Sequence, residues 1–464
     1  MTAGHYDALV VGAGPAGSIA ALVLARGGAR VALVDKARFP RDKACGDLVG
    51  PRGVQTLADL GVDVPGPSVG DMEVVGPSGR RVTLRAFPGL TYPGHALVVP
   101  RARFDDRLRT SAIEAGAVPL AGRASSPLFG DDGNLNGFSI DSEKDQPVRV
   151  TADVVVGADG ATSRVAVAAG LVNEKKVLWG FAVRGYLPTS VGPAAAPELP
   201  RIYFWEPSAW SGYPGYGWVF PGGDGTLNAG LGVGSRGDRK VGMQASKDLP
   251  AFLASAGLDP GAVGRPLGGW LKMGMTGTVP AGGRTLLVGD AAGLVNSLQG
   301  EGISQALGSG RSAAEAILEV GPGAAAGVYT ESLRTMYAPY ACATAPITSW
   351  MLRHHRAVSG LGRALTNPVV AAVLAGGWSV YWNDLLDGAS PGRARRTAAV
   401  AARAAGLLTA RAADRHAVLE SLESAAAGGP RRQLPAEAGD GRLDDAVVSP
   451  PQERVGDAGG HAHR

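Results

Sequence analysis

Only two cysteines, Cys45 and Cys342, occur in 464 residues, and they stand far apart in the chain. A disulfide framework is thereby excluded, and a reducing cytoplasm is the expected compartment. Long apolar runs are missing too. The longest, Val369 to Trp382, contains Gly376, Gly377 and Ser379 and falls short of the about 20 residues that a spanning helix needs. The opening MTAGHYDALVVGAG lacks the basic segment, apolar core and cleavage site of a signal peptide. Charge of one sign is not in excess: 45 Lys and Arg face 41 Asp and Glu, a net +4. With no basic stripe, nucleic acid is not expected as a partner. Histidines number seven, and the neighbours His354 and His355 cannot share one helix face, so no metal is expected.

What is present reads as a globular enzyme of two or three domains, since 464 residues exceed a single hydrophobic core. Glycine, at 70 residues, has about twice its usual share, without a collagen or solenoid period. The run Ala8 to Gly12 (ALVVG) predicts a buried parallel strand, followed by a helix from Pro15 to Arg26 and a second strand in GARVALVDK. DVVVGADG from Asp153 and TLLVGD from Thr285 repeat that strand end far downstream, the latter before a helix over 300–318. One sheet assembled from distant segments is expected. The stretch Tyr203 to Phe220 holds eight of the 27 aromatic residues, as one wall of a second, sheet-based domain would. The expected division is 1–70, 97–170 and 281–345 for the first domain, 71–96 and 171–280 for the β-rich one, 346–426 for a helical region, and 427–464 for a disordered tail.

Gly12, Gly14 and Gly17 form G-x-G-x-x-G at the first strand-to-helix turn. The first permits the tight turn, the second lets a pyrophosphate approach the backbone, and the third lets helix and strand pack closely. The helix start at Pro15 and Ala16 offers free N–H groups and a positive dipole end. Asp35, followed by Lys36, ends the second strand where a carboxylate reaches a ribose hydroxyl. These residues predict a bound dinucleotide.

The strand ends at Asp159-Gly160 and Asp290 resemble the second and third fingerprints of the flavoprotein class that includes p-hydroxybenzoate hydroxylase. That resemblance implies non-covalent FAD, with Asp290 on the ribityl chain and the helix start Gly300, Gly302, Ile303 against the flavin ring. Three further segments, PRDKACGD (Pro40 to Asp47), PRARFDDRL (Pro100 to Leu108) and YGWVFP (Tyr216 to Pro221), resemble elements of the geranylgeranyl reductase family. They imply Lys43, Cys45, Gly46 and Arg101 at the flavin, and a substrate cavity lined by Tyr203, Trp205, Tyr216, Trp218 and Phe220. Two departures stand out. Leu298 occupies a position, two after Asn296, where the family usually has proline, and Asp47 stands where many members have glycine.

The fold expected is α/β: a discontinuous Rossmann-like FAD domain of glutathione-reductase type, a β-sheet substrate domain and C-terminal helices. The substrate is expected to be a large apolar molecule of prenyl or polyketide type, reduced or hydroxylated in secondary metabolism. No second G-x-G-x-x-G marks a nicotinamide domain, so NADPH or NADH is expected only as a transient donor. Cys45, Tyr216 and Trp218 are the candidate catalytic residues. A second expectation follows from KACGDLVGPRGV (Lys43 to Val54), which is similar to the dialkyldecalin synthases of spirotetronate pathways. In those cyclases FAD is structural and the cavity acts by holding a near-attack geometry. A non-catalytic flavin-binding protein is the third. The segment Arg393 to Arg415, with six arginines and one aspartate, is read as a solvated helix face, or as an attachment to an anionic membrane or acidic carrier. The sequence carries no signal for an oligomeric state.

Overall fold

The structure is a computed structural model. It describes residues 4–84, 92–142, 146–190, 198–204, 215–236, 241–354 and 412–428, with single positions at 360, 362–364, 366, 367, 369, 407 and 409. Trp205, nearly all of the 393–415 segment and the tail beyond 428 lie outside the described residues.

A βαβ unit opens the chain: β1 (Gly4–Val11), α1 (Pro15–Arg26) and β2 (Val31–Asp35). Both strands bury runs of four consecutive residues, because helices or loops cover both sheet faces. Short strands β3 (Leu48–Val49) and β4 (Ser68–Val69) flank α2 (Pro51–Asp59), and β5 (Met72–Val75) pairs with β6 (Arg81–Leu84). Strand β7 (Ala96–Val98) joins β3 and β4 in a three-stranded sheet, and α3 (Arg101–Glu114) leads into β8 (Val118–Ala121). A meander of β9 (Arg123–Phe129), β10 (Leu135–Asp141) and β11 (Val148–Gly157) ends beside β1.

After α4 (Arg164–Ala168) come β12 (Leu178–Pro188), β13 (Arg201–Phe204), β14 (Gly215–Pro221), β15 (Thr226–Ser235), α5 (Val241–Ser255) and β16 (Leu267–Met273). Strands β17 (Ala281–Gly282) and β18 (Thr285–Leu287) return to the first sheet. Helices α6 (Ile303–Val320), α7 (Ala325–Met336), α8 (Ala338–Arg353) and α9 (Ala413–Ala426) follow.

Two main sheets result. The first has the path β17-β18-β11-β1-β2-β8, with β10 and β9 extending from β11. Its central strands are parallel, so the turns after β1, β11 and β18 all open at the same sheet edge. The second runs β16-β12-β15-β14-β13-β5-β6. Helix α5 covers its outer face through Leu249, Phe252 and Leu253 on Val219 and Leu231. Its inner face turns Trp218, Phe220 and Ile202 toward Leu48 and the loop before it. Helix α6 crosses α1 so closely that a Cβ at Gly310 would lie 2.2 Å from the Ala16 carbonyl oxygen. No helix among the described residues is long and apolar enough to cross a membrane.

Candidate active site

The glycine turn is fixed by close backbone contact. Gly12 has φ +105°, and a Cβ there would sit 2.3 Å from the Ala158 oxygen. One at Gly17 would sit 1.8 Å from the Gly12 oxygen. Gly14 differs, since its Cβ position meets only Arg41 Nη2 at 3.5 Å, leaving open space before the helix. Pro15 occupies the first turn of α1, which carries no acidic residue there and no side-chain cap. Its free N–H groups and positive dipole end suit a phosphate. Asp35 accepts hydrogen bonds from Ala13 N at 2.7 Å and Ala37 N at 2.8 Å, tying the end of β2 to that turn. Burial and the nearby Arg123 push the Lys36 ammonium below its usual range.

The other two strand ends complete the edge. Asp159 accepts from the Ser163 hydroxyl, from Arg164 N at 2.6 Å and from Val165 N at 3.2 Å. Its carboxylate therefore caps α4, and Gly160 beside it adopts φ +85°. Asp290 lies in a 3-10 turn over Gly289–Ala292 with Lys43 Nζ 3.9 Å from Oδ2. That oxygen is buried with no hydrogen-bond partner, as a carboxylate awaiting a ligand hydroxyl would be. Gly302 opens α6, whose first turn is capped from outside by the Glu301 carboxylate, which accepts from Ser304 N at 2.8 Å. A buried carboxylate oxygen with no hydrogen-bond partner, together with the uncapped start of α1, fits FAD.

One residue of this region escaped the sequence reading. Lys272, on β16, is 1% exposed and donates to the Ala291 carbonyl at 3.2 Å. Burial pushes its ammonium down to about 8, against the opposing pull of Asp159, Asp290 and Glu174. A single lysine inside the strand LGGWLKM was the available signal.

The segment before β3 rests on the second sheet. A Cβ at Gly46 would meet Phe220 Cε2 at 2.9 Å and Trp218 Nε1 at 3.5 Å. Asp47 has φ +62° and is 1% exposed. The left-handed backbone explains why glycine suits this position, and aspartate is among the few residues that tolerate it. Asp47 accepts from the Tyr186 hydroxyl, from Asn228 Nδ2 at 2.7 Å and from Arg101 N at 3.3 Å. Burial pushes its carboxyl above the ordinary range. Asn228 also donates to the Cys45 carbonyl at 2.8 Å and accepts from Trp218 Nε1 at 2.9 Å. Arg101, the first residue of α3, grips Asp105 with two bonds of 2.7 Å. Cys45 Sγ accepts from Asp47 N at 3.4 Å, and burial pushes the thiol up, so at neutral pH it is no thiolate nucleophile.

The expected aromatic wall splits between two faces. Side chains alternate along a strand, so Tyr216, Trp218 and Phe220 share the inner face. Tyr203 pairs across from Gly217 and packs edge-on against Phe252 at 5.5 Å, on the outer face beneath α5. It is therefore not on the wall assigned to it. Trp218 and Phe220, 4% and 6% exposed, are packing between sheet and loop. A small cavity of about 20 Å³, room for a water molecule, opens elsewhere, between Leu294, Val295, Asn296 and the residues Gln305, Tyr337 and Tyr340. Beside it, Asn296 Oδ1 accepts from Leu298 N at 2.9 Å and Gln299 N at 3.1 Å, a turn that uses the N–H a proline at 298 would lack. Tyr216 donates to the Gln299 carbonyl, and a Cβ at Gly300 would lie 2.5 Å from its hydroxyl.

Comparison with known proteins agrees with this geometry. Residues 5–193 match the family described as FAD binding domain. The chain is 35% identical over 319 residues to the menaquinone reductase of Mycolicibacterium smegmatis, covering 67% of this chain and 75% of that protein. It is 32% identical over 316 residues to the geranylgeranyl diphosphate reductase of Rhodobacter capsulatus, covering 68% and 75%. The crystal structure of a geranylgeranyl bacteriochlorophyll reductase-like protein from Thermoplasma acidophilum superimposes with a TM-score of 0.58 at 22% identity, covering 91% and 99%, which shows a shared fold. Sequence and fold together show that the chain belongs to the FAD-dependent oxidoreductases of the geranylgeranyl and menaquinone reductase family.

Proposed function

We propose that this protein is a reductase that saturates a double bond in a large apolar substrate of prenyl or polyketide type within bacterial secondary metabolism. The observation that carries the reading is the buried Asp290 Oδ2, which has no hydrogen-bond partner, together with the uncapped start of α1. The names of the relatives, menaquinone reductase and geranylgeranyl diphosphate reductase, support the substrate class. Gly14 and the α1 N-terminus would hold the pyrophosphate of FAD, Asp35 a ribose, Asp290 the ribityl chain, and Gly302 and Ile303 the ring. When bound, FAD supplies hydride-transfer chemistry. The chain itself positions and seals. Arg101, fixed on Asp105, holds its guanidinium at the Cys45 loop. The Asp47, Asn228 and Trp218 hydrogen bonds keep that loop shut against the inner face and exclude water. NADPH or NADH would act as a transient donor. The test is anaerobic mixing with each nucleotide while the flavin absorbance is followed. Bleaching supports the reductase, and no bleaching with either refutes a nicotinamide-driven one.

A redox-neutral cyclase is the second reading, favoured by the turn at Asn296. Leu298 N–H bonds Asn296 Oδ1, and Tyr216 bonds the next carbonyl, so the segment that would flank the reactive flavin edge is closed by side chains of this chain. Product of unchanged mass, formed without any reductant, would favour the cyclase.

A further inference from the structure

We propose that Arg184 is a positioning residue for the cofactor site: from the inner face of the second sheet it grips the backbone of Lys43 and so sets the Lys43 ammonium against Oδ2 of Asp290. The proposal rests on Asp290 holding FAD.

Arg184 lies on β12 opposite Gly230 of β15, and that glycine pairs in turn with Trp218 of β14. A Cβ at Gly230 would lie 2.5 Å from both Arg184 Cβ and Trp218 Cζ2, so the arginine stem is pinned within this row. Its guanidinium stands 4.2 Å from the centre of the Tyr186 ring, a stacked position that holds its direction. Arg184 is 1% exposed, and a charge withdrawn that far from water needs a partner. The loop before β3 provides it. One nitrogen, Nη2, donates to the Asp42 carboxylate and to the Lys43 carbonyl, the latter at 3.1 Å. The same Asp42 oxygen, Oδ1, accepts from Lys43 N at 2.8 Å. Both backbone polar groups of Lys43 therefore hang on a single nitrogen of Arg184, the carbonyl directly and the N–H through Asp42. From that anchored backbone the lysine side chain brings Nζ to 3.9 Å from Asp290 Oδ2, the buried oxygen with no hydrogen-bond partner. A part-exposed lysine has many rotamers, and fixing its backbone narrows where the ammonium can stand. Contacts thus run unbroken from the second sheet to the carboxylate at the cofactor edge. Asn228 and Tyr186 tie the other end of the loop, at Cys45 and Asp47. Arg184 ties the Lys43 end.

The experiment follows FAD release from full-length, flavin-loaded protein after dilution, by the recovery of flavin fluorescence. It compares the wild type with Arg184→Met, Lys43→Met and the double variant. Each single variant is expected to release FAD about fivefold faster, the scale of a part-exposed ion pair. The double variant should release it no faster than Lys43→Met alone, because Arg184 acts through that side chain. Release in the double variant equal to the product of the single effects, roughly twenty-five-fold, would mark a general tie between loop and sheet and overturn the proposal. Unchanged release in either single variant would overturn it too. Should Arg184→Met not fold, Asp42→Ala, at an exposed position, breaks the same grip on the Lys43 N–H and carries the same cycle. Wild-type release in Asp290→Ala would instead overturn the placement of Asp290 at the cofactor. A wild type purified without FAD would overturn the flavoprotein reading itself.

Discussion

Replacing Asp47 by glycine, the residue common at its position in the family, sets two opposed effects against each other. Glycine relieves the φ of +62°, worth about 1 kcal/mol. It also removes the acceptor for the Tyr186 hydroxyl and the Asn228 amide, both in a buried setting. Leaving such donors unmet costs about 1–3 kcal/mol each, reduced by no longer desolvating a carboxylate. The balance is a loss of about 2 kcal/mol, which for a cooperative unit of 150–250 residues lowers the melting temperature by about 4–8 °C. Calorimetry of the FAD-loaded full chain measures it. The loss also depends on pH. Burial raises the Asp47 carboxyl, so the folded state holds that proton more tightly than the unfolded one. The contribution is full below the ordinary carboxylate range and fades as pH rises through the raised value. Wild type should therefore exceed Asp47→Gly by more at pH 4.5 than at pH 8. A glycine variant that melts at or above the wild type at both pH values would show that backbone strain outweighs the hydrogen bonds, and would refute the account of Asp47 as a tie.

Three further outcomes are expected. Gly17→Ala places a Cβ 1.8 Å from the Gly12 oxygen, so purified protein should contain less than about a tenth of wild-type FAD by absorbance, and full retention would contradict the turn geometry. Trp218→Ala removes a side chain that is 4% exposed and hydrogen-bonded to Asn228, and should lower unfolding free energy by about 3–5 kcal/mol in urea. A loss under 1 kcal/mol would return the residue to an open cavity wall. In a Cys342→Ser background, iodoacetamide should label Cys45 slowly at pH 7.5 and faster above pH 9, because burial holds the thiol protonated. Rapid labelling at pH 7.5 would reveal an activated thiolate.

The parts legible in the sequence are those where a local rule leaves one solution. Gly12 and Gly17 sit where only hydrogen fits, and the apolar runs of β1, β11 and β18 mark strands buried on both faces. What could not be read depends on register or on distant partners. Tyr203 and Trp218 look alike in the sequence, yet the pairing of β13 with β14 sends them to opposite faces. That the Asp159 oxygens cap α4 likewise depends on where that helix starts. The function of Asp47 needs Asn228, 181 positions away. Lys272 carries no motif, and only the return of the chain through β18 places Ala291 over it.

The order of strands in the first sheet has a consequence for how the protein is made. Gly4 pairs with Val150, and Val155 with Thr285, so β1 keeps one open edge until β11 emerges from the ribosome, and β11 waits in turn for β18. At about 5–20 residues per second, each wait lasts roughly 7–30 s. An apolar strand open along one edge for that long is a template for pairing with the wrong chain. Truncation before residue 285 leaves Val155 to Gly157 of β11 without a neighbour on the side where β10 pairs only its first residues, so the cofactor edge can form only after most of the chain exists.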